Sequence, residues 1–517
     1  MLVSCNLNPE NILPYNRQPL SLITSKGEAP KTFKSTLNSS DKDLWLVAIN
    51  KELESMNALG VWHVVELDSS FKLVGTTWVF KIKKDHLGNI TEYKARLCAQ
   101  GFTQSAGIDF NQTYAPAGRL NSLQTLIAFA AAKDLKFHQI DIKTIYGLKQ
   151  APLAWYDRLK KWLTTIEFMT SVLDLCVFFW RGEHPVWLYI HVDDIAIFGS
   201  QVEDFKAEIL KEFKIKDVGP ADPMLGIKVT HFPDYISLDQ PHFIDSLLEL
   251  YGMSDCNPVA TPLVPNEHLS TATSNEISEF EKLKVHFQST VGSINYLSTA
   301  TRPYLSFAVS SLSQHLEKPG ILHWKSFLHV LKYLRGTQDI GLTYPRCINV
   351  GIVAYTDADW GHCCISRRSV TGFLATVGGS LVLWKMRKKP SVSLSTAKAE
   401  YKALCDLTSE IMWLKQWCCE CDFLQLDNSI PVHEDNQSCI NVIKGDCNLN
   451  NKQMKHVNIQ LHSIKEALKN NMINLIYTPT TDMLADFLTK SVSQPILARS
   501  LDSLGVLSLG KRGDVEY

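Results

Sequence analysis

At 517 residues, 45% apolar and 20% charged, the chain has the composition of a soluble globular protein with room for about two to four domains. A formal net charge of −1 excludes a global attraction to nucleic acid, so any such binding must come from local basic patches. The chain has no apolar run long enough to cross a bilayer, and MLVSCNLNPENILPYN lacks a basic head followed by an apolar core, so neither a membrane span nor a secretory signal is expected.

Residues 1–38 are polar, with scattered Pro, Asn and Ser, and are expected to form little structure. Ser40 or Asp41 then caps a predicted helix in which Trp45, Ala48, Ile49, Leu53 and Met56 recur at helical spacing, with Gly60 as its stop. TTWVFKIKKDHLGNITEYKARLCAQGF reads as a hairpin turning at Leu87–Asn89. Trp78, Phe80 and Ile82 alternate there with Val79, Lys81 and Lys83. Lys81, Lys83, Lys84, Lys94 and Arg96 gather on it, either to bind phosphate or as a lysine-rich edge that blocks aggregation. A helix is expected over Ser122–Lys133, followed by a strand in LKFHQIDIKT that holds Asp141 between Ile140 and Ile142.

VWLYIHVDDIAIFG, Val186 to Gly199, reads as two apolar strands meeting at Asp193 and Asp194. Adjacent carboxylates in so apolar a setting repel each other and resist desolvation, which suits a place where cations collect. An Asx-rich turn between core strands is the plainer alternative. A third carboxylate, Asp141, beside this tip completes a two-cation cage suited to phosphoryl transfer.

Downstream, Asp204–Phe213 is expected as a helix, Pro220 and Pro223 as breaks and MLGIKV as a strand. Residues 257–278 read as a linker, and Phe287–Leu334 has long helical periodicity. Strand VGIVAYTDADW reaches Asp357 and Asp359. VTGFLATVGGSLVLWKM follows with a turn at Gly378–Gly379, and then a helix from Thr396 carries Glu400. Ile430–Asp435 is a short strand ending in acid, and Thr481–Leu488 begins a last helix with Asp486. The basic run Lys385, Arg387, Lys388 and Lys389 is suited to phosphate contacts or to a solvated loop. The 13 cysteines are irregularly spaced and read as reduced thiols of an intracellular protein, cytoplasmic or nuclear. Neither Cys363–Cys364 nor Cys418, Cys419 and Cys421 gives the paired CxxC motifs of a zinc site.

WVFKIK, YKARLCAQGFTQ, HQIDIKT, YGLKQAPLAWYDRL, HVDDIAIFGS, MLGIKV, ISLDQPHFIDSLL, VGSINYLSTATRP, YTDADW, STAKAEY, EDNQS and LADFLTK follow one another from about Trp45 to Lys490. In this order they resemble the reverse transcriptase and RNase H portion of a copia-type LTR retrotransposon Pol polyprotein. The resemblance implies an α+β multidomain chain: an incomplete right-hand polymerase palm and fingers, then a helical connection, then an RNase H-like α/β domain. The implied boundaries are 39–256 for the polymerase, 257–278 for the linker, 279–345 for the connection, 346–492 for the nuclease and 493–517 for a tail.

It implies Asp141, Asp193 and Asp194 as polymerase metal ligands and Asp357, Glu400, Asp435 and Asp486 as the nuclease quartet. Two Mg2+ or Mn2+ ions per site are implied. Lys94 and Arg96 would lie near the incoming triphosphate, Tyr146, Gly147, Lys149 and Gln150 in the segment framing the templating base and primer end, and Met224–Val229 in the primer grip. Implied partners are an RNA template, a DNA primer, an RNA/DNA hybrid and dNTPs, with no membrane.

Three departures stand out against the family pattern. Thr144 joins directly to Ile145, where the family continues for a few dozen residues that include an aromatic gate. Either the polymerase core is broken there or coding sequence has been skipped. His191 stands where the family has tyrosine, and Tyr304 and Asn458 where it has aspartate. The expected activity is RNA-directed DNA synthesis coupled to RNA-strand hydrolysis, with an impaired polymerase. The alternatives are a decayed or co-opted nucleic-acid-binding fragment and a fragment that retains RNase H activity alone.

Overall fold

The computed structural model describes residues 29–58, 73–84, 90–142, 147–213, 215–220, 223–265, 269–346, 351–360, 367–390, 392–393, 395–423, 429–445 and 455–509. They fall into two compact units, Met1–Asn111 with Ile145–Ala151, and Gln112–Thr144 with Pro152–Tyr517.

The first unit starts with a short helix, α1 (Phe33–Leu37), inside the stretch expected to be unstructured. Thr32 makes it possible, its hydroxyl accepting from the Ser35 N–H at 3.1 Å. Helix α2 (Lys42–Ala58) lays Trp45, Ala48 and Ile49 against Phe80, Ile82 and Ala95 of an antiparallel hairpin, β1 (Thr76–Lys84) and β2 (Ile90–Ala99). Trp45 meets Phe80 and Tyr93 edge-on at 5.2 and 4.8 Å. The expected alternation holds: Phe80 and Ile82 are buried, and Val79 is exposed. Gly60, the turn at Leu87–Asn89 and the Lys83 and Lys84 side chains lie outside the described residues.

The second unit opens with α3 (Leu120–Lys133), whose Ser122–Ala131 are all buried, as befits a helix apolar on every side. Its buried polar side chains are satisfied in part: Ser122 donates to Asp174 at 2.6 Å and Gln124 Nε2 to the Ala300 carbonyl at 3.0 Å, while Gln124 Oε1 is buried without a partner. Next come β3 (Lys136–Ile142), α4 (Ala151–Thr165), β4 (Met169–Thr170), β5 (Val177–Trp180), β6 (Val186–His191), β7 (Asp194–Gly199), α5 (Val202–Glu212) and β8 (Ile215–Pro220). The strands form one antiparallel sheet in the order β4-β5-β6-β7-β3-β8. Leu159 and Leu163 of α4 and Val202, Phe205 and Ile209 of α5 pack with Ile140, Leu188, Ile190, Ile195 and Ile197 of the sheet. Strands β3 and β6 both flank β7, so they run parallel. The crossover between them uses α4, β4 and β5. The Thr144–Ile145 junction itself lies outside the described residues.

Beyond β8 lie β9 (Lys228–His231), β10 (Tyr235–Asp239), α6 (Pro241–Leu250), α7 (Ser274–Glu281), α8 (Phe287–Ala300), α9 (Ser306–Ser313), α10 (Ile321–Arg335) and β11 (Ile340–Pro345). Three sequence expectations change here. MLGIKV is not one strand: Leu225 and Gly226 take positive φ (53° and 72°) in a turn, and the strand starts at Lys228. The long helical periodicity divides into α8, α9 and α10, because Pro303 and Gly320 interrupt it. Helix α7 begins inside the stretch read as linker, held by a Thr273–Glu276 capping box.

The chain finishes with β12 (Ile352–Asp359), β13 (Val370–Val377), β14 (Ser380–Lys388), α11 (Thr396–Glu420), β15 (Ile430–Glu434), α12 (Gln437–Lys444), α13 (Lys455–Lys469), β16 (Ile473–Tyr477), α14 (Asp486–Thr489), α15 (Gln494–Ser503) and β17 (Val506–Ser508). The sheet order is β14-β13-β12-β15-β16, antiparallel over the first three strands and parallel over the last three. This is the arrangement of an RNase H-like fold. A four-stranded sheet, β17-β11-β10-β9, joins strands far apart in sequence. The expected helix over Thr481–Leu488 is instead a 3-10 turn, Thr480–Asp482, followed by the single turn α14. No described helix is long and apolar enough to cross a membrane.

Candidate active site

The acids of the C-terminal sheet are brought together by small residues. Gly372 pairs with Asp357 across β12 and β13, and a Cβ there would stand 2.7 Å from Leu488 Cβ and 2.8 Å from Thr489 Cγ2. Glycine thus lets α14 close onto the sheet, where the Thr489 hydroxyl donates to Asp357 Oδ2. On the other side Ala358, Ala399 and Ala403 pack together, so α11 lies close enough to β12 for Glu400 to reach the cluster. Asp435 follows the end of β15, the parallel neighbour of β12, and accepts from Thr480 at 2.7 Å.

Carboxylate oxygens of Asp357, Glu400 and Asp435 consequently lie within 4.8 Å of one another. Among the described residues this is the only such group of His, Cys, Asp or Glu side chains. Asp486 is buried beside them, paired with Lys490 Nζ at 2.9 Å.

Desolvation dominates the electrostatics. Burial, then Asp486, pushes the Asp357 carboxyl up to about 7. Burial, then Glu434, Asp357 and Asp435, pushes Glu400 far above the carboxylate range. Asp486 is also raised by burial, against the pull of Lys490. Glu400 Oε2, Asp486 Oδ1 and Glu434 Oε2 are buried without a hydrogen-bond partner. Unpaired carboxylate oxygens at such density fit divalent cations, hard ions that take oxygen ligands. Sequence reading missed Glu434; its signal was the in-facing alternation of Ile430, Val432 and Glu434 along β15.

In the palm-like sheet Asp141 pairs directly with Asp194 across β3 and β7, so the predicted juxtaposition is present in the backbone. Gln139 Nε2 donates to Asp194 Oδ1 at 3.1 Å. Burial raises the Asp194 carboxyl, the Gln139 bond opposes that, and Asp141 and Asp193 add to it. Val192 turns the hairpin at φ 56°, a region costly for a β-branched residue, and its carbonyl is held by Trp155 Nε1 at 2.9 Å. The side chains of Asp141, Asp193 and Asp194 do not draw together as the C-terminal trio does. His191 pairs with Asp194 across the tip.

Lys94 and Arg96 sit on β2, opposite Lys81 and Val79. In the same unit the Lys149 N–H donates to Gln104 Oε1 at 2.9 Å, Gln104 Nε2 to Gln150 Oε1 at 3.1 Å and the Gly101 N–H to the Gly147 carbonyl at 3.1 Å. Gly147 has φ 108° and stands too close to Ala99 to admit a Cβ. Tyr146 lies outside the described residues. The basic run of the C-terminal sheet is not one open patch. Lys389 is buried on Asp406, Lys385 pairs with Glu410 at 2.9 Å and Lys388 donates to Gln314 at 2.5 Å, while Arg387 is exposed.

The family model for reverse transcriptase (RNA-dependent DNA polymerase) matches residues 59–146 and 143–265. The retrovirus-related Pol polyprotein from transposon TNT 1-94 of Nicotiana tabacum is 31% identical over 91% of this chain and 38% of its own length. That from transposon RE1 of Arabidopsis thaliana is 27% identical over 96% of this chain and 36% of its own. Over most of its length the chain is similar to copia-type retrotransposon Pol polyproteins, and its 59–265 region matches the reverse transcriptase family. It spans a little over a third of the length of these Pol relatives, which are 38% and 36% covered. An uncharacterized mitochondrial protein of Arabidopsis thaliana, 33% identical, aligns over 44% of this chain and 94% of its own length.

Among solved structures, the foamy viral protease-reverse transcriptase in complex with dsDNA gives 13% identity over 84% of this chain and 83% of that one, with a TM-score of 0.44. LC11-RNase H1 gives 16% over 30% and 99%, with a TM-score of 0.22. At those scores the fold rests on the strand order above.

Proposed function

We propose that this chain is a metal-dependent nuclease acting on the RNA strand of RNA/DNA hybrids, joined to a reverse transcriptase core whose polymerase is impaired. The observation that carries the reading is the convergence of Asp357, Glu400 and Asp435 within 4.8 Å on an RNase H-like sheet. With Asp486 they would hold two divalent cations, magnesium or manganese, which supply an activated water and neutralise the phosphate. The protein's own part is to aim these carboxylates: Thr489 holds Asp357, Thr480 holds Asp435, and α11 delivers Glu400. The RNA strand would be told from DNA by its 2′-hydroxyl.

In this reading residues 39–256 are the polymerase portion and 346–492 the nuclease. Asp141, Asp193 and Asp194 would serve the polymerase, with Lys94, Arg96 and the segment from Tyr146 to Gln150 toward nucleotide and template. Its partners would be an RNA template, a DNA primer and dNTPs. Two observations favour impairment: the family match breaks into two segments meeting at residues 143–146, and the palm aspartates do not draw together. Hybrid cleavage by the full chain in magnesium or manganese tests the nuclease. No cleavage by folded protein in either ion refutes it and leaves a nucleic-acid-binding fragment.

A further inference from the structure

Asp486 and Lys490 are four residues apart on one turn of helix. Lys490 follows α14, its N–H donates to the Asp486 carbonyl at 3.1 Å, and its side chain folds back so that Nζ stands 2.9 Å from Asp486 Oδ2. The carboxylate side chain is 7% exposed and the lysine 38%, so the pair is half inside the acid cluster. The same ammonium lies in the field of Asp357 and Asp435. Asp486 is not one of the three that close to within 4.8 Å, though its side chain reaches Asp357, and its Oδ1 is buried without a partner.

A cation site made by four carboxylates therefore already contains one positive charge, on a flexible four-carbon stem. A divalent ion held by Asp357, Glu400 and Asp435 alone would not need the Asp486 oxygen that this ammonium occupies. An ion that also takes Asp486 must displace it, because two cations on one carboxylate a few ångströms apart repel strongly in a partly desolvated site.

We propose that the Lys490 ammonium is a tethered stand-in for the second cation: it holds Asp486 in the resting site and must withdraw before a second divalent ion binds tightly. The inference rests on the nuclease reading and adds a control to it. The first ion binds a preformed trio, and the second binds in competition with a side chain of the same protein. Lys490 then sets the concentration of magnesium at which the site fills.

The test is calorimetric titration of the metal-free full chain with magnesium alone, together with its melting temperature at pH 8. The wild type is expected to show a tighter and a weaker binding event. K490M is expected to strengthen the weaker event about tenfold or more and to melt lower without metal, since Asp486 loses its counter-charge. K490Q should behave alike and serves if methionine is not tolerated. K490R should stay near the wild type. In a D486N background the weaker event should vanish and K490M should change nothing further. Wild-type binding that K490M and K490Q leave unaltered overturns this inference alone. Magnesium and manganese binding by neither wild type nor variants overturns the nuclease reading with it.

Discussion

Arg302 has no exposed surface, yet among the described residues no carboxylate forms an ion pair with it, the buried Asp239 only feeling its field. Its guanidinium donates to the Tyr304 hydroxyl at 2.6 Å and to the Thr337 and Gln338 carbonyls at 2.7 and 3.0 Å. Tyr304 thus keeps a hydrogen bond with it but supplies no counter-charge. Tyr304→Phe leaves a buried charged donor without its acceptor and is expected to cost about 1–3 kcal/mol in equilibrium denaturation. An unchanged midpoint would mean that Arg302 is satisfied by carbonyls alone.

At the C-terminal acid cluster the pH dependence comes from a buried carboxyl whose proton is held by the fold. Asp357 is raised to about 7 in the fold, so the folded state holds that proton more tightly than the unfolded chain. Stability from this group is full below about pH 4 and is lost as pH rises through 7. Metal-free protein should therefore melt lower at pH 8 than at pH 5, and magnesium should remove the difference. Glu400→Gln, which makes one of these groups permanently neutral, should raise metal-free stability at pH 8 while abolishing hybrid cleavage. A variant that cleaves normally would remove Glu400 from the site.

Elements add what single residues cannot. The joint before α10 is built on two histidines stacked with centroids 3.8 Å apart, His315 and His323. His323 Nδ1 accepts from the Gly320 N–H at 2.9 Å, so it must be unprotonated, and Nε2–H donates to the Ser270 carbonyl at 2.9 Å. Burial, then the neighbouring His323 and Lys388, depresses His315 to about 4, and burial depresses His323. A base with a depressed folded value contributes stability that is present above pH 6.5 and lost as pH falls toward 4. His315→Phe keeps a stacked ring without a titrating group. Its melting temperature should fall less than the wild type's between pH 6.5 and 4.5, and an equal fall would acquit the pair.

Elements are also where sequence reading went furthest and then stopped. Two apolar, β-favouring runs disclosed the hairpin over Asp193–Asp194, whose strands are buried on both faces, and alternation disclosed β12 with Asp357, where a half-buried strand imposes a period of two on its own residues. The one-turn α14 and the turn at Leu225–Gly226 were not legible, since each depends on contacts made far along the chain, with Gly372 and with Tyr296. Gly372 is the clearest case. Nothing around it marks a site, and its role exists only because Leu488 and Thr489, more than a hundred residues on, press against it. Lys490 and Glu434 were passed over for the same reason: a charge next to a motif acquires meaning only from what the fold sets opposite it.

At the scale of the whole molecule two acid sites meet different fates. The C-terminal cluster has its strand ends, its helix and its close-packed glycine and alanines, and its carboxylates draw together. The palm-like sheet keeps the register of Asp141 against Asp194 and a hairpin turn pinned by Trp155, so its local scaffold survives. Polymerisation needs more than that scaffold: a templating base, a primer end and a nucleotide must be held together, and in the proposed reading part of what would hold them is missing at the Thr144–Ile145 junction, where the family match divides. The two activities should therefore separate in one preparation. With a labelled RNA/DNA hybrid and a primed RNA template in the same magnesium or manganese buffer, the full chain is expected to cut the RNA strand and to extend no primer. Extension by the chain as it stands would refute the view that the junction disables the polymerase. Asp194→Asn should leave hybrid cleavage unchanged, and Asp435→Asn should end it, because each acid belongs to a separate sheet.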